Sequence, residues 1–179
     1  VEKWIVTNNS AVMLEDNTAW ASLPYGSSVS FINGTEEVKT IYLWVKDTAG
    51  NTELSSKTIT YDTTDPSIDS YSLDDSTSGD TVTTNAQTID VVQTNTDGYE
   101  YIITENTGVM VEANTAWSTT APTSYTFANG TNESKTVHLW LRDTAHNVVS
   151  QSVSIELDTT DPSIDSYSLD DSTSGDTVT

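Results

Sequence analysis

The 179-residue sequence has no cysteine, so no disulfide staples it and no thiolate is available as nucleophile or metal ligand. This does not place the chain inside a cell, because repeat proteins of cell surfaces also do without cysteine. Basic residues are scarce. Six Lys plus Arg face 27 Asp plus Glu, a formal net charge of -21. Nucleic acid and anionic membranes are therefore excluded as expected partners, and cations are favoured. No run of about 18 apolar residues occurs, so no helical membrane span or direct membrane insertion is expected. No basic-then-apolar leader opens the chain. Catalytic constellations are missing too: there is no serine in a glycine elbow and no phosphate-binding glycine loop. His138 and His146 stand alone, which argues against zinc. Carboxylates are plentiful but fall in turns, where no substrate cleft flanks them. No enzymatic activity is expected.

What the chain does have is repetition. Thr63–Thr83 and Thr159–Thr179 are identical, both reading TTDPSIDSYSLDDSTSGDTVT. Leu43-Trp44-Val45-Lys46-Asp47-Thr48-Ala49 returns as Leu139-Trp140-Leu141-Arg142-Asp143-Thr144-Ala145, and Phe31-Ile32-Asn33-Gly34-Thr35 returns as Phe127-Ala128-Asn129-Gly130-Thr131. The period of about 96 residues is the size of a domain rather than of a solenoid repeat, and it is long enough to close a modest core unaided. The expected organisation is residues 1–65 as a domain without its first two strands, 66–161 as a complete domain, and 162–179 as the first strand and acidic loop of a further one. Since Val1 falls inside a repeat, the sequence reads as an excerpt of a longer array.

About a third of the residues are Ser or Thr, which suits exposed strand faces and turns. Strands are expected at Val1–Thr7, Ala11–Leu14, Val29–Ile32, Lys39–Lys46, Ser55–Tyr61, Ser67–Leu73, Thr88–Val92, Gly98–Thr104, Val109–Val111, Tyr125–Phe127, Val137–Arg142 and Val148–Leu157. In Lys39–Lys46 the alternation puts Ile41, Leu43 and Val45 on one face and Tyr42, Trp44 and Lys46 on the other. Asp47–Asn51 then turns the chain into a hairpin. Pro66 fixes φ in a short, glycine-free joint, which should be stiff. Some seven short strands per repeat, without helical periodicity, indicate an all-β sandwich.

The run Leu-Trp-Val-Lys-Asp-Thr-Ala-Gly-Asn, then a strand, then Asp-Thr-Thr-Asp-Pro and an acidic Ser/Thr/Gly loop, resembles the bacterial Ig-like repeats of large cell-surface adhesins and other secreted array proteins. The resemblance covers essentially the whole chain. It implies tandem Ig-like β-sandwich domains with short stiff joints, an extracellular or cell-surface location, and calcium near the joints. Trp20 and Trp117 match the family's loop tryptophan. His146 departs from it, standing where the pattern has glycine. A histidine tolerates the left-handed conformation at some cost, so the turn is expected to persist.

Three sets of candidate residues emerge. Asp62, Asp65, Asp74, Asp75 and Asp80 crowd one domain boundary; Asp158, Asp161, Asp170, Asp171 and Asp176 crowd the next. Such carboxylates suit calcium, although no EF-hand spacing is present; a solvated polar loop is the alternative. Tyr42, Trp44 and Lys46, with His138, Trp140 and Arg142 in the second copy, form an outward hairpin face fit for a glycan or a neighbouring subunit. Alternatively Trp44 packs beneath a loop of its own domain, such as the one carrying Trp20. Asn8, Asn33, Asn129 and Asn132 fit the glycosylation pattern. The expected function is structural: a stalk, spacer or filament segment, stiffened by calcium, whose partners are neighbouring repeats or identical subunits joined by strand complementation. A carbohydrate-binding module using the exposed Trp face, with cell-surface glycans as partners, is the second expectation.

Overall fold

Alternating apolar residues and Asp-centred turns give strands throughout, and the described residues contain no helix. The computed structural model describes residues 1, 3–8, 20–22, 31, 34–108, 116–170 and 177–178. The expected strands Ala11–Leu14 and Val109–Val111, and Val29–Ile32 apart from Phe31, lie outside them. Contacts divide the chain into two units: Val1–Pro66 with Arg142–Val148, and Ser67–Leu141 with Val149–Thr179.

The first unit holds β1 (Lys3–Thr7), β2 (Ala21–Ser22), β3 (Glu37–Lys46) and β4 (Thr52–Tyr61). They form one sheet in the order β2-β1-β3-β4. The β3–β4 hairpin runs in unbroken register from Glu37↔Tyr61 to Lys46↔Thr52. It is longer than its apolar stretch suggests, because Thr and Ser extend the pairing on faces open to water. Its turn is built by Asp47, whose Oδ1 accepts from the amides of Ala49 and Asn51, each at 2.9 Å. Gly50 takes φ 87° there. The equivalent turn repeats this with Asp143 Oδ1 accepting from Ala145 and Asn147, and His146 adopts φ 72° in place of glycine. The carboxylate bonds hold the turn against the histidine's steric cost.

The second unit holds β5 (Ser67–Asp74), β6 (Thr83–Thr84), β7 (Thr88–Thr96), β8 (Glu100–Thr104), β9 (Ser124–Thr126), and nearly all of β10 (Glu133–Arg142) and β11 (Val148–Leu157), then β12 (Leu169–Asp170) and β13 (Thr177–Val178). One sheet runs β6-β11-β10-β8 and another β5-β7-β9, with β12-β13 as a separate pair. The β5–β7 register shifts between Ile68 and Ser70, a bulge that re-aims the side chains beyond it. Gly98 follows β7 where space is tight: a Cβ there would press on Asn95 Oδ1 and Leu141 Cδ1, so those side chains would have to shift.

The two larger sheets share one core. Val137, Leu139, Leu141, Ile155 and Leu157 are at most 1% exposed, and Tyr71, Leu73, Ile89, Val91 and Phe127 are buried with them. Nearly all of these residues form a single contact cluster. Tyr71 donates its hydroxyl to the Val137 carbonyl at 3.3 Å. Burial, and secondarily Tyr125, push that hydroxyl's pKa well above its ordinary value. The expected alternation therefore holds in β10, where the Leu139 parity faces the core.

The same parity in the first unit is less enclosed by the described residues. Ile41, Leu43 and Val45 are half-buried, and Ile59, the counterpart of Ile155, is 55% exposed. Truncating a fully enclosed leucine removes burial and leaves a cavity, whereas a half-exposed one loses less. Leu139→Ala should cost about 3 kcal/mol and Leu43→Ala about 1 kcal/mol, read from hydrogen exchange at β10 and β3 amides respectively. Equal losses would contradict the difference in cover.

Candidate functional site

The acidic loop of the second unit forms around Asp75, which is 4% exposed. Its Oδ1 accepts from the amides of Thr77 and Ser78, both at 2.8 Å, and from both hydroxyls. Its Oδ2 accepts from Thr84 Oγ1 at 2.6 Å. One carboxylate thereby closes the 75–80 loop and ties it to β6, which pairs with the edge of β11. The Thr77 and Thr84 hydroxyls foremost, then the Ser78 and Thr77 amides, hold its pKa far below the usual carboxylate range. Asp80 is lowered in the same way by the Val82 amide and then the Thr83 hydroxyl.

The other expected cation ligands are distributed as follows. Asp62 and Asp158 each accept the amide two residues on, at Thr64 and Thr160. Asp74 accepts from Ser72 Oγ at 2.8 Å. Asp65 and Asp161 are exposed. Asp171 and Asp176 lie outside the described residues, as does the side chain of Asp170. Among the described residues no three acidic or histidine side chains converge to hold a metal. A calcium ion at Asp75 or Asp80 would have to displace the hydroxyl and amide donors already in place.

A second construction surrounds each Asp-Thr-Thr segment and was not anticipated from the sequence. Glu36 Oε1 accepts from the Thr63 amide and hydroxyl, and its Oε2 from the Thr64 hydroxyl. The Thr63 hydroxyl, then the Thr64 hydroxyl, lower its pKa. In the second unit Asn132 occupies the equivalent place. Its Oδ1 accepts from the Thr159 amide and hydroxyl, while its Nδ2 donates to Asp158 Oδ1 and Thr160 Oγ1. The signal available in the sequence was positional: the two residues stand 96 apart, and each directly follows an Asn-Gly-Thr turn. Asn132 was read as a glycosylation candidate, yet its amide nitrogen is already engaged. Asn129, another candidate, is exposed and accepts from Lys135 Nζ and the Thr131 amide. Asn8 is exposed; Asn33 lies outside the described residues.

The hairpin face is sunk rather than open. Trp44 is 7% exposed and packs with Ile5 and Trp20, with Tyr42 at the margin. Lys46 Nζ lies 5.1 Å from the centre of the Trp20 ring, within cation–π range. In the second copy of the hairpin His138 and Trp140 are half-buried, and Arg142 is 8% exposed. Trp44 Nε1, Trp140 Nε1 and His138 Nε2 have no hydrogen-bond partner among the described residues.

The core-facing parity of the hairpins also begins with a lysine in each copy, Lys39 and Lys135. Lys39 is 8% exposed, pairs with Glu37 at 2.6 Å, and lies about 6 Å from the Phe31 and Tyr61 ring centres. Lys135 is 2% exposed and pairs with Glu133.

No family model matches this chain, and no curated protein matches it.

Two measurements test the loop and the clasp. A carboxylate whose folded pKa is depressed stabilises the fold above its unfolded value of about 3.9, and that stabilisation is lost as pH falls towards the folded value. Wild type should therefore exceed Asp75→Asn in stability at neutral pH, with the gap closing below about pH 4; a pH-independent gap would count against this role. Asn132→Ala should speed amide exchange at Thr159 by roughly fivefold to tenfold, the equivalent of about one net hydrogen bond.

Proposed function

We propose that this chain is a structural segment of an extracellular or cell-surface array of Ig-like β-sandwich modules, serving as a stalk, spacer or filament. The observation that carries the reading is the recurrence of one construction: hairpin, Asp-capped turn, and a return strand whose Asp-Thr-Thr end is clasped by the side chain at position 36 or 132. A module repeated with its connecting segment held in place transmits length and tension and requires no catalytic cleft. The modules are residues 1–65, 66–161 and the start of another at 162–179. Neighbouring repeats or identical subunits are the partners.

In this reading the Asp-Thr-Thr segments owe their order to hydrogen bonds made by the chain itself. Calcium is an added stiffener only where it can displace those donors. Small-angle scattering of the full chain in excess calcium and in chelator is the test. Unchanged dimensions are expected; extension on adding calcium would assign the stiffness to an ion instead.

The unpaired ring nitrogen of half-buried Trp140 favours a second reading, a carbohydrate-binding face. Glycan-array binding that is abolished by Trp140→Ala would establish it. The array reading expects no glycan signal to begin with.

A further inference from the structure

Lys135 carries a buried charge that its surroundings answer only in part. It is 2% exposed, and an ammonium withdrawn from water is costly unless it is paired and hydrogen-bonded. Two side chains meet its Nζ among the described residues. Glu133 supplies a carboxylate, and Asn129 Oδ1 accepts at 2.6 Å. The first contact is ionic. The second is the dipole of a neutral amide, although it stands at ion-pair distance. A carboxylate at position 129 would answer the ammonium better than the amide does.

Asn129 is followed by Gly130, in the segment that leads into β10. That segment is held at both ends. The amide of buried Phe127 donates to the Gln87 carbonyl at 3.0 Å, and the Ala128 amide donates to Glu105 Oε2 at 2.8 Å. On the far side Asn132 clasps Thr159 and Thr160. Asn129 and Gly130 are exposed, so water reaches them. A Cβ on Gly130 would meet nothing nearer than Gln87 Oε1, at 3.5 Å. That space and glycine's backbone freedom let the Gly130 nitrogen turn towards Asn129 Cγ. Asn129 Oδ1 meanwhile accepts a second bond, from the Thr131 amide at 3.1 Å. Two donors on one carbonyl oxygen draw electrons from Cγ. They also sit where negative charge gathers when a nucleophile adds to Cγ, which is the arrangement of an oxyanion hole.

We propose that Asn129-Gly130 is a self-modifying site: Lys135 and the Thr131 amide promote closure of a cyclic imide at Asn129, and the carboxylate left by its hydrolysis becomes an ion-pair partner of buried Lys135. The Gly130 nitrogen gives its proton to hydroxide and adds to Asn129 Cγ. The charge that forms on Oδ1 is held by Lys135 Nζ and the Thr131 N–H. The Cγ–Nδ2 bond then breaks as Nδ2 takes a proton from water, and ammonia leaves. The imide takes up one water, which opens it at either carbonyl to an aspartyl or isoaspartyl residue. Nothing is oxidised or reduced, the hydroxide is returned, and water is the one co-reactant. The contact at Lys135 Nζ changes from amide–ammonium to carboxylate–ammonium, the stronger kind. The module thus acquires a second partner for its buried charge as it ages. The same pattern, Asn-Gly-Thr-x-Glu-x-Lys, runs from position 33 to position 39. There Lys39 also pairs with Glu37, at 2.6 Å; Asn33 lies outside the described residues.

The test is to age the full chain in mildly alkaline buffer and map it by peptide mass spectrometry. Asn129 should convert to a mixture of aspartyl and isoaspartyl residues. Lys135→Met should slow the conversion roughly tenfold, since one of the oxyanion donors is lost. In concentrated urea, where the donors disperse, wild type and Lys135→Met should react at one rate. Asn129→Asp, a surface change, gives a reading that does not depend on how Lys135→Met folds. Its folding equilibrium constant, read from exchange of the Val137 and Leu139 amides, should exceed that of unaged wild type roughly threefold, a gain kept small by the exposure of position 129. Adding Lys135→Met should abolish that gain. Conversion of Lys135→Met at the wild-type rate, an Asn129 that reacts in urea but not in the folded chain, or an Asn129→Asp constant that is unchanged or lower would each overturn the proposal. So would loss of ammonia with no later uptake of water, because Lys135 Nζ would then have captured Cγ itself.

Discussion

A sheet with one apolar face needs a second layer over it, and the rest of this structure follows from where that layer is supplied. In the second unit β5, β7 and β9 supply it, and Leu139, Leu141 and Leu157 become inaccessible to water. At about 25 cal/mol for each Å² of apolar surface removed from water, such enclosure is the dominant stabilising term. The first unit uses the same hairpin, turn and clasp, and among its described residues there is one sheet, β2-β1-β3-β4. Its hairpin is paired without a break from Glu37 to Lys46, while Ile41, Leu43 and Val45 are half-buried.

Polar side chains do the local shaping. Asp47 and Asp143 cap the hairpin turns, Asp75 gathers the acidic loop, and Glu36 and Asn132 hold the Asp-Thr-Thr ends. In each case a short side chain satisfies backbone amides that the turn leaves without a strand partner. The acidity of the chain therefore has a structural explanation at several positions. Replacing Glu36 by Asn132 keeps the acceptor but adds a donor, and the second clasp uses it to reach Asp158 and Thr160.

The repeat, the hairpins and their turns were legible because each depends on neighbours in sequence. Alternation placed Leu43 and Leu139 on the inward parity, and the Asp-Thr-Ala pattern located both turns. What was not legible depends on contacts between distant segments. β2 and β6 are two residues each and have no periodicity to detect. The rows of Thr and Ser in β4 give no apolar signal, so that strand was read three residues short. Lys39 and Lys135 share the core parity, yet their charge hid it; Glu37 and Glu133 allow them to be buried. Asp75 stands in sequence as one acidic residue among several; its hydroxyl donors, Thr77 and Thr84, come together around it only when the loop closes. Trp44 faces away from the main core, as alternation requires, but Trp20 and Ile5 cover it, and that loop position could not be derived from spacing.

The duplicated string also sets a problem for the chain as it folds. The core beneath Leu139 can be capped by Tyr71 from the N-terminal side or by Tyr167 from the C-terminal side, with identical residues. The C-terminal route closes a loop less than half as long, which favours it by about 0.8 kcal/mol in closure entropy. What rescues the native arrangement is β7, which pairs with β5 from Ser67↔Thr96 to Asp74↔Asp90 and adds Ile89 and Val91 to the cap. Selection of the correct copy is thus made by the following strand, and until β7 has zipped onto β5 the two copies are competitors for one site.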